Sequence, residues 1–122
     1  METAWPSLAT PQQRAATAEL MNRLIVRYRG IILRIVLFGS VARGDFANDS
    51  DIDLLIVTDT ASPDLDWDIS GISARVSLEY DVIIQPHVYS RALWENLRAR
   101  GRPLPRNVEK EGVELTLPLV PV

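Results

Sequence analysis

The chain predicts a mixed α/β (α+β) domain, a small mixed sheet with helices packed mainly on one face. Three observations lead there. Short apolar runs at 31–38, 54–57 and 82–84 alternate with longer stretches of helical spacing. Helix-start signals stand at Thr10-Pro11, Ser62-Pro63 and Ser90. The 122 residues, 47% hydrophobic and 24% charged, fit one globular domain, 1–122, with no room for a second.

Taken in order, residues 1–9 read as an irregular arm containing Trp5 and Pro6. Thr10-Pro11-Gln12-Gln13 is a capping box with Pro at the first helical position, opening a helix from Pro11 to about Arg29 that Gly30 stops. Its apolar stripe is Leu20 and Leu24, with Met21 and Tyr28 as further members. Residues 31–38 are apolar on both faces, so they predict a central strand. A short helical turn at 41–44 and a polar loop at 46–50 follow, then a strand at 51–57. Ser62-Pro63 begins a second long helix with Leu65, Ile69, Ile72 and Val76 on its inner face. A third strand is expected over 79–88 with Asp81 near its start. Ser90 caps a helix through about Arg98 that buries Leu93, Trp94 and Leu97. Residues 101–105 break it, a helical turn at 107–111 ends at Gly112, and Val113, Leu115 and Leu117 alternate as a last extended segment.

The chemistry is concentrated at the ends of the first two strands. Gly39-Ser40 closes the first apolar run, and ten residues later Asp51-Ile52-Asp53 opens the second. Strand side chains alternate faces, so Asp51 and Asp53 point one way and Ile52 points into the core. Two adjacent carboxylates repel unless a cation lies between them, and Mg²⁺ takes such oxygens while keeping waters and substrate phosphates in its other positions. Gly39 lets the backbone approach a phosphate, Ser40 offers a hydroxyl and an N–H, and Arg43 lies within reach of a phosphate oxygen. Asp81 supplies a third carboxylate, and Glu79, two residues earlier, is the weaker rival. The pattern fits a site for two metal ions and a nucleoside triphosphate. Four fixed residues at roughly 5–7% usage each match by chance about once in 10⁵ start positions, which sets aside coincidence.

Gly39-Ser40, ten residues, then Asp51-x-Asp53 resembles the signature of the nucleotidyltransferase superfamily related to DNA polymerase beta. The shortness of the chain and the segment 105–115 are similar to its minimal branch, the MNT domains found as antitoxins in HEPN–MNT toxin–antitoxin modules. The match covers roughly residues 10–117. The resemblance implies a nucleotidyltransferase-like fold and Mg²⁺-dependent transfer of a nucleoside monophosphate, AMP from ATP or another NTP, onto a hydroxyl. Asp51, Asp53 and Asp81 would be the metal carboxylates, and Gly39 and Ser40 would hold the triphosphate, with Arg43 beside the leaving pyrophosphate. The implied acceptor is a tyrosine of a HEPN ribonuclease toxin. Two alternatives stand beside it: a non-catalytic antitoxin that neutralises its partner by binding, and transfer to a small molecule such as an aminoglycoside.

Composition narrows the rest. The net charge of −3 argues against a nucleic acid as direct partner. Twelve of the thirteen basic residues are Arg, and Arg98, Arg100, Arg102 and Arg106 cluster as a solvated face or partner surface. No apolar run approaches the ~20 residues of a membrane span. Residues 1–6 carry no secretory signal and the chain has no cysteine, so a cytoplasmic location is expected. His87, the sole histidine, is expected in a loop or on the surface after Gln85-Pro86, Asp45 and Asp49 are expected to shape a turn, and the three Trp are expected to pack.

Overall fold

The structure, a computed structural model, describes residues 10–44 and 51–115. The expected arm at 1–9, the loop at 46–50, Asp45, Asp49 and Leu117 lie outside the described residues.

Reciprocal capping starts the first helix, α1 (Pro11–Arg27): the Gln13 N–H donates to the Thr10 hydroxyl at 3.0 Å, and the Thr10 N–H donates to Gln13 Oε1 at 2.9 Å. The helix ends two residues before Arg29, where the Tyr28 N–H closes on Leu24 O and Gly30, at φ 81°, turns the chain into β1 (Ile32–Phe38). A single helical turn, α2 (Ser40–Arg43), follows and is closed by Gly44 in the left-handed region. Strand β2 (Ile52–Thr58) runs back antiparallel to β1, and α3 (Pro63–Tyr80) crosses over so that β3 (Ile84–Ser90) pairs parallel with β2. Helices α4 (Arg91–Ala99) and α5 (Pro103–Glu111) lead to β4 (Val113–Leu115), antiparallel on the other side of β1. The sheet is mixed, in the order β3-β2-β1-β4.

Period-two alternation divides the strands between two cores. Ile35 and Leu37 of β1, with Ile52, Leu54 and Ile56 of β2, face α1 and α3 and pack with Leu20, Leu24, Ile69 and Val76. Val36 and Phe38, with Leu55 and Val57, face the other way against Trp94 of α4 and Val108 of α5. The two long helices therefore share one face, as the fold class requires, and the two short helices cover part of the second.

Two further boundaries differ from the sequence reading. Helix α3 runs on through Glu79 to Tyr80, so these two residues are not in a strand, and neither is Asp81. Asp81 is the C-cap, held at φ 54° and ψ 48°, and its N–H and that of Val82 both close on Ser77 O. The Ser77 hydroxyl then accepts from the Ile84 N–H at 3.1 Å, which aims the chain into β3. Pro103 does not prolong a break but starts α5 at its first turn, where a missing N–H is harmless. On α4, Trp94 is buried as expected, Leu97 is half-buried and Leu93 is exposed.

Asp81 occupies a backbone conformation that glycine adopts without strain, and among the described residues its carboxylate makes no ion pair or side-chain hydrogen bond. Asp81→Gly is expected to raise unfolding free energy by up to about 1 kcal/mol, measured by urea denaturation. A loss of similar size would show that the carboxylate itself holds this junction.

Candidate active site

The site is built on the second face of the sheet, where the alternation that buries Leu55 and Val57 also brings Asp53 to the surface. Asp51, one residue before β2 and on the same phase, is exposed. Asp53 lies opposite Phe38 on β1 and Gln85 on β3. The face is therefore graded. One end is apolar, roofed by Trp94, Val108 and Leu104, with Tyr89 edge-on to Trp94 at 5.7 Å. The other end carries Asp51, Asp53, Gln85 and His87, with the Phe38 ring at the boundary.

At the polar end each carboxylate meets one side chain of β3. Gln85 Nε2 donates to Asp51 Oδ2 at 3.4 Å. His87 Nε2 lies 3.2 Å from Asp53 Oδ1, and the imidazole rests against Phe38 with ring centroids 5.1 Å apart. His87 is thus neither in a loop nor a bystander. It is a half-buried member of β3 beside Asp53. The signal that could have found it was parity: on a strand parallel to β2, positions 85, 87 and 89 share the face of Asp53.

Gly39 is required by space as well as by conformation. It sits at φ 81°, and a Cβ there would stand 2.4 Å from Asp53 Oδ2 and 3.3 Å from Asp53 Cγ. The backbone between β1 and α2 is pressed against the carboxylate, and a side chain would displace it. Ser40 opens α2 half-buried beside this contact. Arg43, at the end of α2, pairs with Glu111 of α5 at 3.1 Å, tying the turn to the helix that roofs the face.

Asp81 stands apart from this pattern. It caps α3 three residues before β3, and the carbonyl two residues later, Ile83 O, accepts from the Ile52 N–H at 2.8 Å. Among the described residues no three His, Asp or Glu side chains gather in a group that could hold a metal. The donors that do face one another still suit a hard divalent cation. Two carboxylates on one face, open to solvent, are the ligand set that Mg²⁺ shares with water and phosphate oxygens, and the Gly39 backbone stands against the Asp53 carboxylate with no side chain between them. A cleft of about 510 Å³ lined by Tyr28, Ile31, Leu65 and Trp67 lies on the α1–α3 side of the sheet and is separate from this site. No helix of the described residues is long and apolar enough to cross a membrane.

A glycine turn is pressed on the second of two same-face carboxylates, in the order Gly39-Ser40 then Asp51-x-Asp53. The family model for the nucleotidyltransferase domain matches residues 20–113, and the chain belongs to this family and is a nucleotidyltransferase. A Methanocaldococcus jannaschii protein named "Putative protein adenylyltransferase" is 40% identical over 100 residues, 82% of this chain and 94% of that protein. A second protein of that name from the same organism is 41% identical over 61 residues, 49% of this chain and 62% of that protein. Among solved structures, a "putative minimal nucleotidyltransferase" is similar with a TM-score of 0.53 and 27% identity, covering 88% of this chain and 94% of the other. A toxin–antitoxin crystal structure with AMP-PNP shares the fold, with a TM-score of 0.52 and 19% identity over 80% of this chain and 70% of the other.

Gly39→Ala is expected to push the Asp53 carboxylate aside and lower nucleotidyl transfer at least about a hundredfold, the scale of a 1 Å misplacement. Circular dichroism and single-turnover rates on the same preparation check it. Unchanged transfer would mean that the Asp53 carboxylate can move without cost.

Proposed function

We propose that this chain transfers AMP from ATP, in a Mg²⁺-dependent reaction, onto a hydroxyl of a partner protein. The partner would be a HEPN ribonuclease toxin, modified on a tyrosine and so held inactive. The observation that carries the proposal is the contact of Gly39 with Asp53, with Asp51 on the same open face. Transfer to a protein draws support from the 40% identical relative, whose name is that of a protein adenylyltransferase. The toxin draws support from the resemblance to HEPN–MNT antitoxins and from a fold neighbour that is a toxin–antitoxin assembly solved with AMP-PNP.

In this reading Asp51 and Asp53 hold the cation, which when bound neutralises the triphosphate. The Gly39 backbone and Ser40 receive the β- and γ-phosphates. Arg43, fixed by Glu111, sits at the edge of that cradle and offsets charge on the departing pyrophosphate. The acceptor oxygen bonds to the α-phosphorus as the bond to the bridging oxygen of pyrophosphate breaks, and the acceptor proton passes to a carboxylate of the site. Asp81 takes a supporting part from the cap of α3, as a further acid on the β3 side. The protein's work is positioning and charge compensation.

Neutralisation by binding alone is the second reading, and the position of Asp81 off the strand favours it. Mass spectrometry of the co-expressed partner after incubation with ATP and Mg²⁺ separates the two. The expected result is the added mass of AMP on a tyrosine, absent with Asp51→Asn/Asp53→Asn, and a partner that stays inactive once this chain is removed. An unmodified partner that regains activity on separation would establish occlusion.

A further inference from the structure

The reaction proposed above uses two carboxylates and leaves the imidazole beside them without a task. We infer that His87 is a nitrogen donor on β3 that shares a metal ion with Asp53, and that this ion is consequently Mn²⁺ in preference to Mg²⁺. The inference rests on the reading of Asp51 and Asp53 as metal carboxylates.

Strand β3 reads Ile84-Gln85-Pro86-His87-Val88-Tyr89-Ser90 and contains no acid. Its register puts Gln85 directly opposite Asp53 and His87 one pleat further along the same face. The donors β3 can offer a cation at Asp53 are thus an amide and an imidazole. Of the two, the imidazole meets Asp53: Nε2 and Oδ1 are 3.2 Å apart, while the Gln85 amide turns to Asp51. Neighbouring ligands of an octahedral ion with bonds of about 2.1 Å stand roughly 3 Å apart, so an ion can take Oδ1 and Nε2 together with little movement of either side chain. The ring is held for this by the Phe38 face and by its place on the strand. Imidazole nitrogen binds first-row transition metals in preference to Mg²⁺, and among them Mn²⁺ is the one that, like Mg²⁺, also suits octahedral oxygen ligands.

The test uses untagged protein, Mn²⁺ and inorganic pyrophosphate, a nitrogen-free stand-in for the triphosphate. Because His87 is the single histidine of the chain, labelling with ¹⁵N-histidine assigns any coordinated imidazole without a mutation. Pulsed electron paramagnetic resonance is expected to show ¹⁴N coupling to bound Mn²⁺ that becomes ¹⁵N coupling in the labelled protein. His87→Gln is expected to abolish the coupling, weaken Mn²⁺ by at least about tenfold, and change Mg²⁺ affinity less. Mn²⁺ binding that depends on Asp53 yet shows no histidine nitrogen would overturn the role of His87 and leave the carboxylate reading standing. No Mn²⁺ binding, or binding unchanged in Asp51→Asn/Asp53→Asn, would overturn both.

Discussion

The polar end of this domain depends on one close approach, the backbone of Gly39 against the carboxylate of Asp53. Neither residue could be there without the register of β1 on β2, which sets Phe38 opposite Asp53. A slip of one residue would turn every side chain of β2 to the opposite face. Two cores forbid it at once. Leu54 and Ile56 are sealed beneath α1 and α3, and Leu55 and Val57 beneath α4 and α5. Each alternate residue of β2 has its own apolar destination, so Asp53 is delivered to the open end of the second face by packing elsewhere on the strand. Burying an unpaired carboxylate would cost several kcal/mol, which is why the alternation reaches solvent where it does.

The second face shows why a small sheet can host such a site. Its apolar half is closed by Trp94 and Val108, and Gly112 lets the chain after α5 pass close to the sheet: a Cβ there would lie 2.8 Å from Val36 Cγ1. The other half is left to the carboxylates. The Arg43–Glu111 pair joins the turn after β1 to the helix over the face. With Arg43 45% exposed, the pair contributes under about 1 kcal/mol. Its effect is to orient the turn more than to stabilise the fold.

Much of this was legible in the sequence. The capping box at Thr10, the cap at Ser62, the Gly39-Ser40 turn and the same-face pair Asp51 and Asp53 are local patterns, and local patterns survive folding. The misses came from interactions that no window contains. Glu79 and Tyr80 looked like the start of a strand, but α3 continues over them, with the Ser77 hydroxyl bonded back to Ser73 O and Arg23 of α1 paired with Glu79. Asp81 then ends the helix in a left-handed turn that glycine more often makes. His87 was expected in a loop or on the surface, at a strand end after Gln85-Pro86, because no Cys or second His accompanies it, and proline is excluded from a central strand. It does not forbid an edge strand, and β3 lies at the edge of the sheet. Which strand paired with which, and in which direction, decided whether residues 85 and 87 faced Asp53.

The proline in β3 also bears on recognition. An edge strand is an invitation for another chain to add itself by main-chain hydrogen bonds, and proteins guard against it with residues that cannot answer. Halfway along β3, between Gln85 and His87, stands a residue with no amide hydrogen to give. A polypeptide bringing a hydroxyl to this site is therefore poorly served by lengthening the sheet along β3. It gains more by approaching across the open face, where its side chains meet Asp51, Gln85 and His87 directly. Under the proposed function, selectivity for an acceptor then comes from the shape and charge of that surface, and sheet-to-sheet self-association, a hazard for any small β-edged domain, is resisted by the same residue.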